Sequence, residues 1–127
     1  MKIEHIAVYV DDLDSAKKFF EKYFGAVASE KYHNIKTEFQ SYFLSFEGDA
    51  RLEIMTKPCV ADTNNKGQHK GYAHIAFSVG NKKSVDELTQ RLAGDGYKVI
   101  SGPRTTGDGY YESCVQGFEN NIIEITE

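Results

Sequence analysis

Tyr72-Ala73-His74-Ile75-Ala76-Phe77-Ser78-Val79 reads as a strand, and the chain has already used the same phrase near its start, as Ile3-Glu4-His5-Ile6-Ala7-Val8-Tyr9-Val10. In both copies His-Ile-Ala opens a run of alternating apolar residues, the period of a half-buried strand. Side chains alternate between the two faces of a strand, so Ile6, Val8 and Val10 share one face while His5, Ala7 and Tyr9 share the other. In the second copy Ile75, Phe77 and Val79 stand opposite His74, Ala76 and Ser78. Each histidine leaves the branched apolar face at an equivalent place.

The offset from His5 to His74 is 69 residues. It also carries Ala16, Phe19 and Tyr23, at helical spacing, onto Val85, Leu88 and Leu92, and Gly25 onto Gly94. A match of this kind is the mark of one supersecondary unit used twice.

Followed in order, the first copy runs into Asp11-Asp12-Leu13-Asp14, a helix start with Asp12 as N-cap and Asp14 at the positive end of the dipole. Leu13, Ala16, Phe19, Phe20, Tyr23 and Phe24 form the apolar stripe, and Gly25 ends the helix. From Val27 to Thr56 the period changes to two. Strands are expected from Val27 to Tyr32, from Thr37 to Phe46 and from Arg51 to Met55, with a hairpin turn at Glu47-Gly48-Asp49. Residues 58–70 read as a linker, and His33 and His69 as solvated histidines in polar surroundings. The second copy repeats the order. A helix is expected with Ser84-x-x-Glu87 as its capping box, Val85, Leu88 and Leu92 as its buried face and Gly94-Asp95-Gly96 as its stop. A strand from Tyr97 to Ile100 follows. Ser101 to Gly109 reads as a polar flap, Tyr110 to Gln116 as a strand, Glu119-Asn120-Asn121 as a turn, and Ile122 to Thr126 as the last strand.

The 127 residues suit one domain, and the net charge of −4 comes with no basic stripe. A nucleic-acid partner, which wants a Lys/Arg footprint, is therefore not expected. No apolar run approaches a membrane span, and an opening directly on a strand predicts neither signal peptide nor anchor. Cys59 and Cys114 are too few and too isolated for a disulfide framework. They read as free thiols in a reducing cytoplasm.

Four polar residues stand out on otherwise apolar strands. His5 and His74 lie on the first strand of each unit, and Glu53 and Glu124 on the last. An unpaired carboxylate is costly to bury, and two at equivalent sites ask for a shared partner. A divalent cation supplies one, since imidazole and carboxylate suit zinc, nickel, cobalt, manganese or iron.

On His5, His74-Ile75-Ala76-Phe77-Ser78-Val79, Glu53 and Ile123-Glu124-Ile125, the sequence resembles the vicinal oxygen chelate superfamily, whose members include glyoxalase I, thiol transferases of fosfomycin resistance, methylmalonyl-CoA epimerase, extradiol dioxygenases and bleomycin-binding proteins. The resemblance implies an α+β fold of two tandem βαβββ units, about 1–57 and 71–127, in a single domain over 1–127. Their strands would form an open, mixed, barrel-like sheet around a metal cleft, with helices outside. It implies one divalent ion held by His5, Glu53, His74 and Glu124, and the His, Glu, His, Glu order is that of glyoxalase I (lactoylglutathione lyase). By that analogy the hemithioacetal of methylglyoxal and a thiol would pass through an enediolate to a 2-hydroxyacyl thioester, with Glu124 as base and Glu53 its counterpart. Two positions depart from that pattern. Where glyoxalase I has an arginine and an asparagine that contact glutathione, this chain has Tyr9 and Lys57. These, with Arg104 on the flap, are the expected substrate contacts, and the thiol need not be glutathione. The flap from Gly102 to Gly109 would act as a lid, with Arg104, Thr105 and Thr106 as donors. The alternatives on the same scaffold are a thiol transferase or epimerase, or a non-catalytic antibiotic-binding protein. A homodimer is expected, since open strand edges need cover.

Overall fold

In the computed structural model, which describes residues 4–60, 72–107 and 109–127, each half of the chain folds as its own unit, Met1–Asn64 and Asn65–Glu127. The first unit begins with β1 (His5–Tyr9), followed by α1 (Leu13–Phe24), β2 (Val27–Ala28), β3 (Tyr32–Asn34), β4 (Phe39–Ser45) and β5 (Arg51–Thr56). Its sheet runs β1-β5-β4-β2, with β3 also on β4. The β1–β5 pair is parallel and the others antiparallel. The second unit has β6 (Ile75–Ser78), α2 (Lys82–Gly94), β7 (Lys98–Thr105), β8 (Tyr111–Gln116) and β9 (Ile122–Thr126). Its sheet runs β6-β9-β8-β7, again with a parallel first–last pair. This is the tandem βαβββ order that the repeat predicts, in two mixed sheets.

Both helices begin and end for local reasons. Asp12 caps α1 by accepting from the Ser15 amide at 2.9 Å, and Gly25, at φ 64°, closes it in the left-handed conformation. Leu13, Ala16, Phe19, Phe20 and Tyr23 are buried as α1 packs on β2, β4 and β5, against Leu44, Leu52 and Ile54 in the core. In α2 the cap is Asn81 and not Ser84. The Asn81 Oδ1 accepts from the Ser84 amide at 2.9 Å and from its hydroxyl at 3.1 Å. The helix thus starts three residues earlier than the expected capping box, because asparagine is as good an N-cap as serine. The buried face is Val85, Thr89 and Leu92. Leu88 is only half-buried, and the Thr89 hydroxyl takes the inner place by bonding Val85 O and Ser113 Oγ, both at 2.6 Å.

Three further expectations are corrected. The strand expected from Val27 to Tyr32 is two pieces, Val27–Ala28 and Tyr32–Asn34, and between them Ser29 Oγ, in place of a backbone carbonyl, accepts from the Phe43 amide at 3.0 Å. Ile6 is 37% exposed although it shares a face with buried Val10, since β1 is the end strand of its sheet. The flap is mostly strand. Ser101, Gly102, Pro103, Arg104 and Thr105 belong to β7 and pair with β8 through two register shifts. Glycine and proline read as loop, but here they form bulges in a paired strand. The lid reading does not survive for these residues.

Most of the 58–70 linker, and His69 with it, lies outside the described residues. Among those described, no helix is long and apolar enough to cross a membrane.

Candidate functional site

Each sheet has one face under its helix and one face turned away from it. In the first unit His5, Ala7 and Tyr9 lie on the helix-free face with Arg51, Glu53 and Met55, since the parallel register pairs His5 with Arg51, Ala7 with Glu53 and Tyr9 with Met55. In the second unit Ala76 pairs with Glu124. Both units therefore set the glutamate across from the alanine of His-Ile-Ala, with the histidine one strand repeat away on the same face. The sequence equivalence of the four residues is also a structural one.

The second pair meets. His74 Nε2 lies 3.5 Å from Glu124 Oε2, with the carboxylate 22% exposed and the imidazole 42%. In the first pair His5 turns to its neighbour: its Nδ1 is bonded to Glu4, whose other oxygen is bonded to Arg51. These two contacts, the histidine bond first, hold the Glu4 carboxyl below the usual carboxylate range. Arg51 in turn lies 4.2 Å over the Phe43 ring, and His5 packs edge-on against the same ring at 5.4 Å. A carboxylate on Nδ1 leaves Nε2 as the free ring nitrogen, the outer-shell arrangement usual for a metal-bound imidazole.

The donor set suits a divalent cation: each unit offers one imidazole and one carboxylate on a single face. Among the described residues no three His, Cys, Asp or Glu side chains gather closely enough to hold a metal on their own.

Of the expected substrate contacts, Tyr9 and Lys57 come together. The ammonium of Lys57 sits 5.3 Å over the Tyr9 ring, one strand repeat from Glu53 in the direction of Met55. Arg104 lies instead in the second unit, in β7, across from Glu112.

The sequence reading missed Arg51, which the alternation of β5 would have placed on the face of Glu53, and Glu4, which alternation sets on the opposite face from His5 and whose bond to it only the structure shows. It also left Cys114 aside. That thiol is the register partner of Glu124. Burial pushes it up from its ordinary value, the Glu124 and Glu112 carboxylates add to the effect, and Arg104 opposes it. These influences disfavour its thiolate relative to an ordinary cysteine. Both cysteines are free.

The family model for the "Glyoxalase/Bleomycin resistance protein/Dioxygenase superfamily" matches residues 2–125. The uncharacterized protein YqjT of Bacillus subtilis is 25% identical over 114 residues, covering 86% of this chain and 85% of that protein. Among solved structures, the trypanothione-dependent glyoxalase I of Leishmania major superposes with a TM-score of 0.78 at 20% identity, over 100% of this chain and 86% of that one. The fosfomycin resistance protein FosX of Listeria monocytogenes, complexed with Mn(II) and sulfate, gives a TM-score of 0.72 at 21% identity, over 98% and 90%. Likeness at these identities shows the fold.

Proposed function

Since the chain belongs to the Glyoxalase/Bleomycin resistance protein/Dioxygenase superfamily, the vicinal oxygen chelate proteins, we propose that it is a metal-dependent lyase of the glyoxalase I type. Its substrate is then the hemithioacetal of a 2-oxoaldehyde such as methylglyoxal with a small thiol. The observation that carries the reading is the His74–Glu124 pair at 3.5 Å, set on the same register as His5 and Glu53 in the other unit.

His5, Glu53, His74 and Glu124 would hold one divalent ion. A bound ion of this kind supplies Lewis acidity to adjacent hydroxyl and carbonyl oxygens of a substrate. The chain's own groups do the rest. Glu124 takes the proton from the carbon bearing the hydroxyl and returns it to the neighbouring carbon, while the hydroxyl proton passes to the neighbouring oxygen, so the hemithioacetal becomes its isomeric thioester with no atom or electron gained or lost. Its contact with His74, 3.5 Å from Nε2, favours that role by holding the carboxylate in place. Glu53 is its counterpart from the first unit. Glu4 holds His5 in one tautomer. Lys57, over the Tyr9 ring, and Arg104 bind the anionic parts of the thiol adduct. One lysine on an aromatic floor is a different contact from an arginine–asparagine pair, which favours a thiol other than glutathione.

Both units together make the one functional domain, and the protein works as a homodimer in the cytoplasm, where free Cys59 and Cys114 stay reduced. The end-strand positions of β1 and β6 support the dimer, since such edges are normally covered.

The test is thioester formation from methylglyoxal with glutathione, cysteine and other thiols, using protein loaded in turn with nickel, zinc and manganese. Activity in one combination, lost by at least about a hundredfold in Glu124→Gln, is the expected result. Absence of thioester in every combination sinks the lyase reading. Protein that retains none of the three ions after gel filtration sinks the metal reading as well.

A further inference from the structure

The two histidine–glutamate pairs hold equivalent places on their sheets, yet their side chains behave differently. Around His5 three neighbours hold the imidazole. Glu4 is bonded to its Nδ1 and to Arg51. The Arg51 guanidinium lies 4.2 Å over the Phe43 ring, and the His5 ring stands edge-on to that same ring at 5.4 Å. Among the described residues no ion pair joins His5 to Glu53, whereas one joins His74 to Glu124.

All three neighbours are different in the second unit. The 69-residue offset carries Glu4 onto Ala73. The parallel register of Ile75 with Ile123, continued by one residue, sets Ile122 across from His74, where the first unit sets Arg51 across from His5. Cys114 is the partner of Glu124, where Phe43 is the partner of Glu53. The alanine and isoleucine side chains offer an imidazole neither charge nor hydrogen bond, and a thiol offers only a weak one. His74 is therefore left to Glu124, and Nε2 and Oε2 stand 3.5 Å apart.

That separation is long for a hydrogen bond, so little is lost when the two groups turn to another partner. It is also the spacing of two ligands on one ion. Donors that each stand about 2.0–2.2 Å from a tetrahedral centre lie roughly 3.3–3.5 Å from one another. Both groups are open to an approaching ion, the imidazole 42% exposed and the carboxylate 22%.

We infer that the two half-sites are unequal: His74 and Glu124 form a ready chelate that captures the divalent ion, and His5 and Glu53 add their donors to an ion already held. The inference rests on the reading of these four residues as ligands. A pair already at its binding separation loses no free energy to rearrangement, so the second unit contributes the larger share of the affinity. The difference lies in three neighbours and not in the ligands themselves.

The experiment titrates Zn(II) into the whole metal-free chain and into two double variants, His5→Ala with Glu53→Gln and His74→Ala with Glu124→Gln. The ring-nitrogen signals of each histidine are followed by NMR. With the first pair removed, Zn(II) still moves the Nε2 signal of His74. With the second pair removed, the Nε2 signal of His5 moves only at Zn(II) concentrations at least about tenfold higher. Competition against a fluorescent chelator reads the same asymmetry in single variants, and it decides the matter if a double variant does not fold. Glu124→Gln is expected to weaken Zn(II) binding by at least about tenfold more than Glu53→Gln. Equal losses from the two halves, or a larger loss from the first, overturn the inference and leave the four-ligand reading standing. A wild-type protein in which neither His5 nor His74 responds to Zn(II) overturns both.

Discussion

Glu4 is the residue on which the first half-site turns, because it is bonded to His5 Nδ1 and to Arg51 at once. Outer-shell carboxylates orient a ligating imidazole and raise its basicity. Replacing it with glutamine is expected to weaken Mn(II) or Zn(II) binding by about 10–100-fold, read by competition against a fluorescent chelator. An affinity equal to wild type would show that the bond is incidental to the metal. Lys57 makes a different kind of contribution at the same scale. Its ammonium lies over Tyr9 and outside the proposed ligand set. Lys57→Ala is therefore expected to raise KM several-fold for an anionic thiol adduct while leaving kcat within about twofold, since it removes binding common to ground and transition states.

At the scale of single elements, two positions test why the strands and helices stand where they do. If Asn81 caps α2, Asn81→Ala costs about 1 kcal/mol in urea unfolding, and Ser84→Ala costs clearly less. The reverse order would restore the capping box that begins at Ser84. In the second unit Gly102→Ala forces a side chain into a left-handed backbone and against the Glu112 carbonyl. It is expected to destabilise by more than about 1 kcal/mol and to displace Arg104 from its place across from Glu112, visible as altered amide shifts from Arg104 to Thr126. The buried Thr89–Ser113 bond at 2.6 Å also belongs here. Thr89→Val leaves Ser113 Oγ unpaired and should cost about 1–3 kcal/mol, with Ser113→Ala added to it recovering part of the loss.

For the whole molecule, acid is the condition to which stability should respond. Asp14 accepts from Lys31 and from Tyr42, both at 2.9 Å, and these contacts, the lysine first, hold its carboxyl below the ordinary value. A carboxyl lowered in the folded state stabilises fully above its unfolded pKa of about 4, and that contribution fades as pH falls through the lower folded value. Asp12 and Glu4 are lowered in the same sense. The melting temperature of Asp14→Asn is therefore expected to lie below wild type at neutral pH and to converge with it below about pH 4. A gap that stays constant down to pH 2 would rule out the linkage. The proposed homodimer is checked at this scale too, by light scattering across a dilution series, where a constant monomer mass would exclude it.

The repeat of His-Ile-Ala at one offset, with a helical stripe behind it, was enough to determine two βαβββ units, the cap at Asp12, the stop at Gly25 and the faces on which His5, Glu53, His74 and Glu124 lie. These follow from local rules, because strand alternation and helix capping depend on neighbours a few residues away. The tertiary structure alone decided what pairing across strands decides. It placed Glu124 within reach of His74, turned His5 toward Glu4, laid Lys57 over Tyr9 and drew a glycine-rich stretch that reads as loop into β7. Register is the physical reason. Which residue faces which across a ladder depends on bulges and on partners far away in sequence, so the period of the chain names the face but not the neighbour.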